Sequence, residues 1–96
     1  MSQSQAVVAT ANASRYLQQL CKHWSHKFEV AFDPVQGRID LGEGRICEMA
    51  AADDTLTVTA TAPEETLPRF QEIIAAHILR FAHREPDMIF DWKPLP

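Results

Sequence analysis

The sequence predicts an α+β two-layer sandwich, an antiparallel sheet with two helices on one face, in the order β-α-β-β-β-β-α. Three observations carry this. Residues 13–28 place apolar side chains at intervals of three and four, the stripe of an amphipathic helix. Residues 28–62 alternate apolar with polar over four segments separated by turn residues, as antiparallel strands with one buried face do. Residues 67–81 then return to helical spacing. The chain has 96 residues. Single domains run to about 100–200 residues, so there is one core and no second subdomain.

Residues 5–9 (Gln-Ala-Val-Val-Ala) read as the first strand. Thr10 or Asn12 can cap the helix that follows, since either side chain accepts a bond from a free N–H of the first turn. That helix is expected to run to about Lys27. Ala13, Tyr16, Leu17, Leu20, Cys21, Trp24 and Phe28 form its apolar stripe, and Arg15, Gln18, Gln19, Lys22 and His26 face water. Phe28, Val30 and Phe32 then alternate with polar neighbours. Asp33 to Gly37 is a turn, with Pro34 fixing φ and Gly37 permitting a positive one. Ile39 and Leu41 mark the next strand, and Gly42-Glu43-Gly44 reverses it. Residues 45–50 fit a strand buried on both faces or a bulged one, because Ile46 opposes Cys47 and Met49. After Asp53-Asp54, Thr55–Ala62 alternates without a break.

Pro63, Glu64 and Glu65 suit a helix start, and Pro68, tolerable only in the first turn, moves that start toward Thr66. Leu67, Phe70, Ile74, Ile78 and Phe81 form the second stripe, which is expected to end near Arg84, before Pro86. Residues 88–92 are an extended tail or a sixth strand. This element order is TATA-binding-protein-like and helix-grip-like, an analogy of fold that carries no activity.

Composition narrows the function classes. Asp and Glu number 13 against 9 Lys and Arg, a net charge of −4, whereas phosphate-backbone binding needs clustered cations. The expected open face of the sheet carries Thr55, Thr57, Thr59, Thr61, Glu29, Arg38 and Asp40, with no aromatic on which a base could stack. Nucleic acid is therefore not an expected partner. Nor is a membrane, since no apolar run approaches the ~18–20 residues a span needs. Residues 1–10 lack Lys, Arg and a signal-type apolar block, so a cytoplasmic protein is expected. Cys21 and Cys47 form no CxxC motif and read as reduced, buried thiols. Hydrolase, metalloprotease, P-loop and dinucleotide signatures do not occur, so no catalytic residue is assigned.

Histidine supplies the remaining chemistry. In Cys21-Lys22-His23-Trp24-Ser25-His26, a helix would turn Cys21 and His23 about 160° apart, too far to share an ion. His23 and His26 would lie roughly 60° apart, on one side. Zinc needs at least three protein ligands, and His77, at the margin of the second helix, is the natural third. The expected metal set is His23, His26 and His77, for a transition metal such as Fe or Zn. Arg84 lies seven residues after His77, on the same face. The wider candidate surface is thus His23, Trp24, His26, His77 and Arg84, donors for an anion or a metal complex. The competing reading makes the histidines boundary residues whose nitrogens meet backbone carbonyls or carboxylates. Two further alternatives are a homodimer built on Leu79, Ile89, Phe90 and Trp92, and a small enzyme with His23 or His77 as general base.

Ala11-Asn12-Ala13-Ser14-Arg15-Tyr16-Leu17, Cys21-Lys22-His23-Trp24-Ser25-His26-Lys27-Phe28, His77 through Glu85 and Phe90-Asp91-Trp92 together resemble the bacterial domain-of-unknown-function family 2218 over nearly the whole chain. The resemblance implies a small cytosolic bacterial protein. It also implies a link to iron-uptake and siderophore-reductase neighbourhoods, and so an iron-uptake protein as a partner. His23, Trp24, His26, His77 and Arg84 match its motif positions. Position 83, an expected aromatic in relatives, is His here, so His83 is left out of the site. Some members carry an aldolase label, but the β/α barrels such aldolases resemble need about 250 residues.

Overall fold

The computed structural model describes residues 1–96. Its elements follow the expected order: β1 (Ser2–Ala9), α1 (Ala13–Trp24), β2 (Glu29–Phe32), β3 (Gln36–Gly42), β4 (Arg45–Ala51), β5 (Thr55–Ala62), α2 (Leu67–Phe81) and β6 (Lys93–Leu95). The six strands form one antiparallel sheet in the order β2-β3-β4-β5-β1-β6. α1 packs over β2, β3 and β4, and α2 over β5 and β1. This is the expected α+β sandwich with both helices on one face.

The period-two pattern decides which side of the sheet is buried. Along β5, Leu56, Val58, Ala60 and Ala62 are fully buried under the helices, and the four threonines between them face the open side. The register carries that division across the sheet: Val58 pairs with Ala6 on one side and Met49 on the other. From the helices, Leu17, Leu20, Cys21, Phe70, Ile74 and Ile78 complete the core. Fully burying a side chain of this size contributes about 1.5–3 kcal/mol, so this layer holds the fold together.

Several boundaries differ from the sequence reading. α1 stops at Trp24, three residues short of Lys27, and α2 at Phe81 rather than near Arg84. Neither Thr10 nor Asn12 supplies a side-chain cap to the first turn of α1. Thr10 Oγ1 instead accepts a bond from the Asn12 N–H at 3.1 Å. The sixth strand falls at Lys93–Leu95, pairing with Gln3–Gln5, and not at 88–92. β4 alternates regularly, with Cys47 and Met49 buried and Glu48 and Ala50 exposed. The irregularity is a register shift between Asp40 and Gly42 in the β3–β4 pairing. Gly37 is not a turn glycine but a buried strand residue under α1. A Cβ there would lie 2.8 Å from Cys21 Sγ and 3.2 Å from Leu17 Cδ2, so the helix approaches this closely only because position 37 has no side chain.

Candidate functional site

The helices run antiparallel, so the end of α1 meets the middle of α2. The His23 ring lies 5.6 Å from that of His77 and 5.9 Å, edge-on, from Phe81. Trp24 lies 4.9 Å from His77 and meets Phe28 edge-on at 6.1 Å. The five rings form a continuous chain, Phe28–Trp24–His77–His23–Phe81. The helical stripe explains it: Trp24 is buried at the last position of the α1 stripe, and His23, one residue earlier, sits at its solvent margin.

Beside these rings opens a recess of about 360 Å³. His23, Trp24, His26, Lys27 and Phe28 line it from the end of α1 and the turn after it. Leu41 and Arg45 close it from the β3–β4 hairpin, and Ile73 and His77 from α2. The lining thus holds Lys27, Arg45 and three imidazoles, with no carboxylate, in a chain of net charge −4. The donors are held in place. The imidazole Nδ1–H of His77 donates to the Ile73 carbonyl at 2.8 Å, which leaves Nε2 available. The Arg45 guanidinium donates to the carbonyls of Leu41 at 3.1 Å and Gly42 at 3.3 Å. Three of the last four carbonyls of α1 are already satisfied, since Ser25 N–H bonds Cys21 O at 2.9 Å, Ser25 Oγ bonds Lys22 O at 2.7 Å and Phe28 N–H bonds Trp24 O at 2.9 Å. The basic side chains are therefore not needed as caps.

Four of the five sequence-derived residues, His23, Trp24, His26 and His77, meet in this recess, and Arg84 does not. α2 ends at Phe81, so Arg84 leaves the helical face that would have aligned it with His77, and it stands exposed. The metal set is not assembled either: no three His, Cys, Asp or Glu side chains are placed to hold an ion. His26 lies beyond the end of α1, so the spacing that would pair it with His23 does not operate. Cys21 and Cys47 are free and buried. Burial pushes the Cys21 thiol up to about 11 and Cys47 higher still, so neither is a ready thiolate ligand or nucleophile.

Arg45 was missed by the sequence reading, although its signal was present. It shares strand parity with Cys47 and Met49, which places an arginine on the helix side of the sheet. Phe28 and Leu41 are read from sequence only as apolar positions of their elements, and Ile73 only as sharing with His77 the margin of the second stripe.

A second polar cluster occupies the opposite end of the helix pair. There the Glu85 carboxylate accepts bonds from the Tyr16 phenol, from the Thr10 hydroxyl at 2.9 Å and from the Asn12 amide at 3.1 Å. The Tyr16 bond, then those of Asn12 and Thr10, hold Glu85 below the usual carboxylate range. Burial, reinforced by Glu85, pushes the Tyr16 phenol up. A larger trough of about 660 Å³ crosses the open face of the sheet. Its charges are mixed, with Arg38 opposite Glu48 in the register, and Gln5 Nε2 already donates to Thr59 Oγ1 at 3.0 Å. Size favours the trough. Free donors favour the recess as the better candidate: Arg45 and His77 each bond a backbone carbonyl, but Lys27, His23 and His26 have no hydrogen-bond partner and no carboxylate faces them.

Fold and recess together define a small antiparallel α+β sandwich that keeps its helices, and the aromatic-basic hollow between them, on one face. The chain belongs to the bacterial family described as "Uncharacterized protein conserved in bacteria (DUF2218)", whose profile matches residues 5–93. It is similar to PA4090 from Pseudomonas aeruginosa, whose NMR structure has a TM-score of 0.77 and 37% sequence identity, with 100% of this chain and 97% of that chain covered. No curated protein matches the chain. No helix is long and apolar enough to cross a membrane.

Proposed function

We propose that this chain is a cytoplasmic binding or accessory domain whose recess takes a small anion with a flat apolar part, such as an aromatic carboxylate or a catecholate. The single observation that carries the reading is a recess with Lys27, Arg45 and three imidazoles but no acid in its lining, in a protein of net charge −4. Arg45 and Lys27 supply charge for a carboxylate or phenolate, where charge-assisted bonds are the strong ones. Trp24, Phe28 and Leu41 supply apolar and ring surface for the flat part. The link to iron enters through the same chemistry. A ferric complex with catecholate arms presents anionic, aromatic surface, and its iron stays on its own chelator, so the protein need not offer three ligands.

Fluorescence of Trp24, in a Trp92→Phe background, tests the reading. The probes are benzoate, salicylate, dihydroxybenzoate and a ferric catecholate, with cyclohexane carboxylate and neutral phenol as controls. Saturable quenching by the aromatic anions, weakened by salt and by Arg45→Ala, is the expected result. Equal responses to neutral phenol and to the anions, or none to any probe at millimolar concentration, would discard the proposal.

A further inference from the structure

The two edges of the sheet are unlike. β6, at one end, is three residues long and carries Pro94, with Pro96 just beyond. Proline is an ordinary way of blocking a sheet edge. β2, at the other end, pairs only with β3, so one side of its backbone is unpaired. No proline falls within Glu29–Phe32. Its helix-side residues are also incompletely covered: Phe28 and Val30 are half-buried, and Phe32 is 38% exposed.

We propose that two copies of this chain join through β2, antiparallel about a two-fold axis at Val30, so that the two sheets become one. A two-fold contact is self-complementary, and this strand complements itself in that register. Val30 faces the partner's Val30, Phe28 faces the partner's Phe32, and Glu29 faces the partner's Ala31. Moving the axis by one residue, to Ala31, sets Glu29 against the partner's Asp33, and like charges directly opposed are unfavourable. There is room for the helices. α1 packs over β2, β3 and β4, so its axis lies nearest the middle strand, β3. The two β3 strands would lie three spacings apart, about 14 Å, more than a helix diameter of about 10–12 Å. The junction also sets the partner's Phe32 against Phe28, a wall of the recess. The pairing stands whether or not that recess binds a ligand.

Engineered cysteines read the register directly, because directly opposed residues in an antiparallel pair approach closely enough to be bridged. Val30→Cys alone should oxidise to a covalent dimer. Glu29→Cys alone and Ala31→Cys alone should not, whereas the two mixed, one carrying a mass tag, should give the mixed dimer. Glu29 and Ala31 are exposed, so this pair tests the register even where Val30→Cys folds poorly. Light scattering of the unmodified protein should show a mass rising toward two chains with concentration. A strict monomer at millimolar concentration, or Ala31→Cys crosslinking to itself in preference to the mixture, would overturn the proposal.

Discussion

At one end of the helix pair Glu85 accepts hydrogen bonds from Tyr16, Thr10 and Asn12, three residues of the β1–α1 connection and the first turns of α1. At the other end Lys27, Arg45 and three histidines line a recess with no carboxylate among them. The helices and the sheet beneath are shared; the difference lies in how many polar groups have found partners inside the chain. Glu85 has three donors, whereas Lys27, His23 and His26 have no partner and only Arg45 and His77 bond a carbonyl. A carboxylate with its donors in place ties the segment after α2 to the start of α1 and has little left to offer a ligand. Basic groups around a hollow, with no internal counter-charge, keep their capacity for one. Hydrogen-bond and charge accounting thus distinguishes the structural cluster at Glu85 from the proposed recognition site.

The largest effect should come from Tyr16→Ala, which removes a ring that is only 4% exposed together with the main donor to Glu85. A loss of about 3–5 kcal/mol is expected, as for other large-to-alanine core changes, read by urea denaturation. Ligand affinity of the folded fraction should hold, and a parallel fall in affinity would show that the two ends are not independent. Arg45→Ala should do the reverse. Affinity for an aromatic carboxylate should drop about tenfold or more, the worth of a charged hydrogen bond, while stability moves by less than about 1 kcal/mol. Gly37→Ala tests the floor both ends share. With Cys21 Sγ 2.8 Å from the new methyl group, overpacking should cost about 1–3 kcal/mol. Tyr16→Phe keeps the ring and removes only the donor, so about 1–2 kcal/mol is expected.

The pH dependence sharpens the contrast further. Glu85 is held below its ordinary value of 4.5, so its contribution is present above that pH. It is lost as pH falls through the lower folded-state value. Tyr16 is raised from 10.0 by burial and then by Glu85. Its contribution is complete below pH 10.0 and lost as the solution rises through the higher folded-state value. Chemical denaturation followed from pH 2 to 6 (on the order of the window around ordinary carboxylates) should show a shallower acid slope for Glu85→Gln. An unchanged slope would mean that the cluster does not contribute to acid stability.

The fold was legible to the extent that periodicity reports it. The stripe from Ala13 to Trp24 and the alternation of Thr55–Ala62 each needed only local spacing, and the buried residues of α1 and β5 match them position by position. Boundaries were less legible. Phe28 carries the helical period on past Trp24, and Arg84 extends that of α2 past Phe81, yet the chain leaves both helices earlier. Periodicity marks which face a residue would take in a helix, not where backbone bonding stops. Gly37 sits beside a turn in sequence, and only its distance from α1 shows that it is there for want of a side chain.

The recess divides in the same way. His23, Trp24 and His77 lie at or beside apolar stripes, and two helices on one sheet face had to bring such margins near each other. The choice of Arg45 over Arg84 as a basic wall was beyond local reading, since it depends on the end of α2 and on the β3–β4 hairpin reaching the end of α1. Element order, the wet and dry sides of each element and the overall acidity were thus set by the chain as written, because side-chain spacing and charge are local quantities. Which edge strand lies open, which cations share a hollow and which carboxylate is satisfied were decided in three dimensions. Those outcomes depend on distances between segments dozens of residues apart, and strand order and helix termination set those distances.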